Sequence, residues 1–235
     1  AREYLRMMYD GECRYIDDEL RRLVDHVQRQ AENTVVVITS DHGEEFWEHG
    51  FVGHGITVYQ EVVHVPLLIH VPGASPHQVD AAVETIDILP TLAAQLRLKR
   101  NRRWQGINLE PLIRFPEGPE RPVYSRTRGS IPEFNLHLET VIHENNKLIV
   151  DRVEDTEVLY NLNDEPRETV DRRDEFPDTA GDLAETLERH NRDAAQHPEA
   201  QHGPVRHPLA DPDALEQLRA LGYLPGDGEP EGPAM

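Results

Sequence analysis

The ten residues Thr34-Val35-Val36-Val37-Ile38-Thr39-Ser40-Asp41-His42-Gly43 decide the architecture. From Thr34 to Thr39 every residue is β-branched or its equal in stiffness, which favours a pleated strand. The run does not alternate with polar residues, so it predicts a strand buried on both faces. Before it, Leu5, Met8, Tyr9, Tyr15, Ile16, Leu20, Leu23, Val24 and Val27 recur at three- and four-residue steps. That spacing predicts helix from Glu3 to about Gln30, with Gly11 placed to divide it in two. A helix feeding such a strand is the repeat of a parallel α/β sheet.

Beyond Gly43 a histidine-rich loop runs to about Tyr59. Val62 to Val71 is a second apolar stretch. Pro66 inside it predicts a sheet edge or a strand start. Thr85 to about Leu98 reads as a helix with Ile86, Leu89, Leu92, Ala93 and Leu96 on its core face and Pro90 in the first turn. Leu98 to Pro122 has the basic, Gly and Pro content of a linker. Then come four short strand-like pieces, Val123 to Arg128, Leu136 to His143, Lys147 to Val153 and Glu157 to Asn161, with Asn145-Asn146 as a hairpin turn. A helix from about Thr179 to Ala195 should pack on that antiparallel sheet. His197 to Pro208 reads as a linker, Asp211 to Leu221 as a short amphipathic helix, and Pro225 to Met235 as a disordered tail. Three regions follow: 1–115, an α/β part carrying the histidine-rich loop; 120–196, a small antiparallel α+β part; and 197–235.

The chain of 235 residues has 24 basic and 44 acidic residues and a formal net charge of −20. Lys99 and Lys147 are its only lysines. This balance argues against nucleic-acid partners, which require a basic face. Self-repulsion among so many carboxylates suggests an acidic, salt-adapted protein. No apolar run approaches the ~20 residues of a membrane span. No leader pattern opens the chain, which favours a cytoplasmic location from this sequence alone, although Ala1 rather than Met stands first. One cysteine, Cys13, excludes an internal disulfide framework and a multi-cysteine zinc site.

Asp41 and His42 fall just past the carboxyl end of the expected strand, the edge where α/β sheets bind ligands. Gly43 predicts a sharp turn that lets the two side chains converge. Carboxylate and imidazole together suit a divalent cation of intermediate hardness. His49-Gly50 and His54-Gly55 follow within thirteen residues of Asp41. Their glycines predict a backbone passing close to something.

The stretch Thr34 to Gly73, TVVVITSDHGEEFWEHGFVGHGITVYQEVVHVPLLIHVPG, resembles the second half of a sulfatase of the alkaline phosphatase superfamily. Tyr9-Asp10-Gly11-Glu12, Arg14 to Leu20, Asp87-Ile88-Leu89-Pro90-Thr91-Leu92, Gly106-Ile107-Asn108-Leu109, Pro111-Leu112, Lys147-Leu148-Ile149, Leu159-Tyr160-Asn161-Leu162, Glu165-Pro166 and Leu221-Gly222-Tyr223 extend the likeness in order. The resemblance implies an α/β fold: part of an alkaline-phosphatase-like, mostly parallel sheet flanked by helices, then a small antiparallel sheet with a packed helix. It implies a metal-dependent sulfuric ester hydrolase acting on a small-molecule or glycan sulfate or phosphate ester. Asp41 and His42 match the family's metal ligands. Where relatives carry Asp-Asn they hold calcium, and His42 shifts the preference toward zinc or manganese. His54 matches a cationic group near the transferred sulfate or phosphate, with His49 a weaker candidate for the same shell. Alternatives are a phosphodiesterase or phosphotransferase of the same superfamily and a non-catalytic metal-binding chain.

The family's nucleophile lies in a Cys- or Ser-x-Pro-x-Arg motif, or is a plain Ser or Thr, well upstream of the Asp-His pair. Cys13 precedes Arg14-Tyr15-Ile16 without that proline, and Ser130-Ile131-Pro132-Glu133-Phe134 lacks the arginine. The expectation is therefore a carboxyl-terminal half, with half a metal site and no nucleophile. Cys13 is expected as a small buried helix residue. Asp17, Asp18 and Glu19 are expected on a solvated helix face, and His64 and His70 at the surface. Trp47 is placed equally at a pocket rim or in packing, and Arg126 and Arg128 on a solvated strand face.

Overall fold

The computed structural model describes residues 2–31, 33–118, 120–128 and 135–196. The expected helix 211–221, the linker and tail around it, and Ser130 to Phe134 lie outside these residues. Helix α1 (Arg2–Gln30) is continuous, and Gly11 does not divide it. A Cβ at Gly11 would meet nothing, so the glycine meets no packing demand there. Exposed pairs such as Arg21 with Asp17 at 3.1 Å and Arg22 with Glu19 at 2.6 Å brace its polar side. No residue of α1 is buried. Leu5, Met8, Tyr9, Tyr15, Ile16 and Leu23 all face solvent. Cys13 is likewise exposed, against expectation, because nothing among the described residues covers its face of the helix.

Strand β1 (Val36–Thr39) is not buried on both faces. It is half-buried, with Thr39 exposed. Two short strands, β2 (Glu45–Phe46) and β3 (Val52–Gly53), pair antiparallel in the loop that follows. After the single turn α2 (Gln60–Val63), strand β4 (Leu67–His70) pairs with β1 antiparallel, Val36 opposite His70 and Thr39 opposite Leu67. Every strand pair among the described residues is antiparallel, so the parallel neighbours expected for β1 are not among them. Pro66 stands directly before β4, where its missing N–H breaks no ladder bond. His64 and His70 are at the surface.

The stretch 85–98 forms a 3₁₀ turn (Thr85–Asp87) and α3 (Ile88–Gln95). Its buried side matches the apolar periodicity only at Ala93. Ile86, Leu89 and Leu96 are exposed, while Asp87, Pro90 and Thr91, off that face, are buried. Hydrogen bonding explains the inversion. Asp87 accepts from Glu84 N at 2.9 Å and from Ile107 N at 2.8 Å, and pairs with Arg121. The Thr91 hydroxyl accepts from Leu109 N at 2.8 Å. The expected linker is thus anchored in part, with Gly106 and Leu109 buried and α4 (Glu110–Arg114) following.

Strands β5 (Val123–Arg128), β6 (His137–His143), β7 (Asn146–Asp151) and β8 (Thr156–Asn161) form an antiparallel meander in chain order. The β6–β7 turn residues are Glu144 and Asn145, both at positive φ, with Asn146 already in the strand. Alternation along β7 gives the sheet two different faces. Val141, Leu148, Val150 and Leu159 pack against Ala180, Leu183 and Leu187 of α5 (Pro177–Gln196). On the opposite face, Ile149 and Tyr160 pack against Val58, with Tyr59, Val63, Leu138 and Val158 around them. The sheet therefore grips the segment 58–63 that follows the histidine-rich loop. Residues 1–192 form one unit by their contacts and 193–235 a second.

Leu159 is 1% exposed at the centre of the α5 face. Leu159→Ala should cost about 2–5 kcal/mol of unfolding free energy, measured by urea denaturation. Glu139 should give part of the acid limit. Burial pushes its carboxyl up, but hydrogen bonds from Arg152 and Asn191 outweigh that and hold it below its usual value. A lowered folded value contributes stability above the unfolded carboxylate range, and that contribution is lost as pH falls through the folded value. Glu139→Gln should therefore flatten the fall of Tm on acidification, read from melting curves across that range.

Candidate functional site

The histidine-rich loop is organised by a residue that the sequence reading did not single out. Glu45, fully buried, accepts from His49 N at 3.0 Å and Phe51 N at 3.2 Å through one oxygen, and from the Thr57 hydroxyl at 3.1 Å through the other. A buried carboxylate satisfied by three donors fixes the path between the two histidines. The Thr127 hydroxyl on β5 donates to Gly55 O at 2.6 Å and pins the far end.

Gly43 makes no positive-φ turn. Its Cα instead lies against α2: a Cβ there would stand 2.0 Å from the Glu61 carbonyl oxygen. Its N–H donates to Val62 O at 2.8 Å. The glycines after His49 and His54 behave the other way. Gly50 and Gly55 have φ of 92° and 88°, and a Cβ at either would meet nothing. Backbone conformation, not close approach, demands glycine there.

Asp41 and His42 converge as expected. His42 Nε2 lies 3.7 Å from Asp41 Oδ2. His42 Nδ1 is 2.9 Å from Gly43 O. A carbonyl can only accept, so Nδ1 carries the proton in that bond and, in the neutral ring, Nε2 keeps its lone pair toward Asp41. The backbone bond from His42 N, then the His42 charge, hold the Asp41 carboxyl below its usual value. Asp41 is exposed and ionised near neutrality.

His54 stacks on His42, with ring centroids 3.8 Å apart and planes at 25°. His54 Nδ1 lies 2.9 Å from Glu44 Oε2. Ligand atoms of His42, Glu44 and His54 all fall within 4.8 Å of one another. Glu44 was missed by the sequence reading. The signal was its place two residues beyond His42, on the same side of extended backbone. The carboxylates of Asp41 and Glu44 with the His42 imidazole fit a zinc- or manganese-like donor set, and the His54 imidazole stands beside it. The histidines also have the partner on Nδ1 that metal-binding imidazoles usually have.

His49 is not brought to this group. Its ring stacks on Tyr59 at 3.5 Å and 10°, and its Nε2 lies 3.6 Å from Glu61 Oε2. With Glu61 and Glu168 it makes a second, more buried cluster. Trp47 sits at φ 66° with the Arg2 guanidinium 4.9 Å over its ring, in packing between α1 and the loop.

The family profile described as Sulfatase matches residues 3–98. The uncharacterized sulfatase YidJ of Escherichia coli is 34% identical over 96 residues, covering 40% of this chain and 19% of YidJ. Arylsulfatase K of Gallus gallus is 29% identical over 194 residues, covering 78% of this chain and 36% of its own length. The chain thus spans about a fifth to a third of the length of these curated relatives. Among solved structures, BT4656 in complex with its substrate D-glucosamine-2-N,6-O-disulfate matches at TM-score 0.68 and 22% identity, over 80% of this chain and 39% of that one. The fold is that of alkaline-phosphatase-like sulfatases.

Gly43→Ala should force α2 away from the end of β1, because the new Cβ meets backbone and not a flexible side chain. The expected loss is about 1–3 kcal/mol, the range for overpacking, in urea denaturation. The parallel Gly11→Ala control should be neutral or stabilising.

Proposed function

We propose that this chain, whose residues 3–98 match the Sulfatase family profile, forms the metal-holding part of a sulfuric ester hydrolase of the alkaline phosphatase superfamily. The observation that carries this reading is the convergence of His42, Glu44 and His54 beside Asp41 at the end of β1. Asp41 and His42 hold a divalent cation, with Glu44 within reach of the same position. Zinc and manganese suit the imidazole-containing set better than calcium, which favours oxygen ligands alone. The cation supplies Lewis-acid stabilisation of charge on the ester oxygens.

His54 is the group that faces the ester. The Glu44 carboxylate accepts from Nδ1 and orients the ring, so that the imidazolium form presents Nε2–H to a non-bridging or leaving oxygen. His49 supports the loop from beneath, held by Tyr59 and Glu61, and does not touch substrate. The attacking nucleophile comes from a segment outside this sequence: Cys13 stands on the exposed face of α1 without the proline and arginine of the family motif. A small-molecule or glycan sulfate ester is the substrate class. A phosphate or phosphonate ester is the alternative that the same donor set serves.

Two measurements test the proposal. Asp41→Ala should remove most bound Mn²⁺ or Zn²⁺, read by elemental analysis after dialysis; unchanged metal content refutes the site. The 235-residue chain alone should turn over neither an aryl sulfate nor an aryl phosphate appreciably. Robust turnover of either would show that the nucleophile lies within it, and which ester is hydrolysed would decide between the two chemistries.

A further inference from the structure

The second cluster contains the most unusual charge in the chain. Lys147, one of two lysines, is fully buried on β7. Its Nζ lies 2.6 Å from Glu168 Oε1, and both side chains are completely shielded from solvent. Glu168 Oε2 accepts from Gln60 N at 2.6 Å, and Lys147 Nζ lies 3.4 Å from Gln60 Oε1. The pair therefore clamps the first residue of α2 through both its backbone and its side chain.

From α2 the linkage continues to the site. Glu61 O and Val62 Cα lie against Gly43, and Val62 O takes the Gly43 N–H at 2.8 Å. Gly43 O in turn faces His42 Nδ1 at 2.9 Å and sets the orientation of that ring. Glu168 holds φ of 53°, a conformation that costs a residue with a Cβ. Such residues persist where their surroundings over-determine them, often near functional sites.

We propose that Lys147 and Glu168 are positioning residues that hold α2 against Gly43 and so aim His42 at the cation site. The proposal deepens the metal-site reading above and rests on it for its functional meaning. The chain of contacts crosses from the antiparallel sheet to the end of β1 without a gap, each step a hydrogen bond, an ion pair or a contact with no room for a Cβ. The pair is not itself a seat for a second cation. His49 Nε2 and Glu61 Oε2 lie beside Glu168 Oε1 without hydrogen-bond partners of their own, but the Lys147 ammonium already occupies Glu168 Oε1 and repels another positive charge.

The test compares Lys147→Met and Glu168→Gln with Leu187→Ala, a core substitution on the α5 face that lies outside the linkage. The first readout is amide hydrogen exchange of the full metal-free chain, well below Tm. Positioning predicts at least tenfold faster exchange at Gly43 in Lys147→Met and Glu168→Gln, beyond any rise common to all amides. In Leu187→Ala, Gly43 should move only with the rest. The second readout is Mn²⁺ titration, where the two linkage variants should bind at least tenfold more weakly and Leu187→Ala unchanged. If Gly43 exchange in both linkage variants follows the global rise alone, the proposal is overturned, even where Mn²⁺ binding is intact. If the wild-type chain binds no Mn²⁺, the metal-site reading fails while Gly43 exchange still decides the positioning. Should Lys147→Met not fold, Glu168→Gln alone decides, since its amide oxygen can still accept from Gln60 N.

Discussion

Lys147 is the point where the two kinds of structure in this chain are joined. A buried ammonium is expensive unless a carboxylate accompanies it, and breaking such a pair leaves an uncompensated charge in the interior. Burial lowers the tendency of Lys147 to hold its proton, and the charge of Glu168 opposes that. The sheet face that bears Lys147 also bears Ile149, which packs with Tyr160 on Val58. Apolar contact presses the sheet onto segment 58–63, and the ion pair sets which residue of that segment meets which strand. Contact area alone would tolerate a small slide along the segment, whereas a charge pair with a backbone N–H bond would not.

That constraint explains the spacing of the histidine-rich loop. Its start is fixed by Gly43 against α2 and its middle by the buried carboxylate of Glu45. Its end is fixed by Thr127 on Gly55. Around these points the chain presents Asp41, His42, Glu44 and His54, with Asp41 and His54 exposed and His42 and Glu44 half-buried. Rigid supports beneath polar groups that remain accessible are what a site for an anionic ester needs.

Much of this was legible in the sequence. The four-strand meander and α5 follow from period-two and period-3.6 patterns, and the ends fell within a few residues. The nearness of the Asp41 and His42 side chains just past β1 was legible because a strand-end position and their chemistry coincide. The errors share one physical origin. Apolar periodicity was read as burial in α1, β1 and the 85–98 helix, but it shows only which face could be buried. For α3 the decision went to Asp87 and Thr91, polar residues that satisfy the backbone of 107–109. Glu45, Glu168 and Lys147 were invisible for the complementary reason. A charged residue reads as surface unless its partner is known, and these partners lie far away in the sequence.

The two His-Gly pairs show how little a short motif carries by itself. His49-Gly50 and His54-Gly55 are the same dipeptide, and both glycines take the same left-handed backbone. The glycine was therefore the same signal twice, a statement about φ. What separates the histidines is the carboxylate each one meets. His54 meets Glu44, three residues past Asp41 in sequence, and so joins His42 in a half-exposed group. His49 has its N–H held by Glu45 and its ring over Tyr59, which turns Nε2 inward to Glu61. An imidazole whose free nitrogen points into the interior can steady a loop but cannot reach an ester. One whose opposite nitrogen is anchored at the rim leaves the other nitrogen free of the interior, so the position of a single carboxylate decides which way each imidazole of this loop is turned.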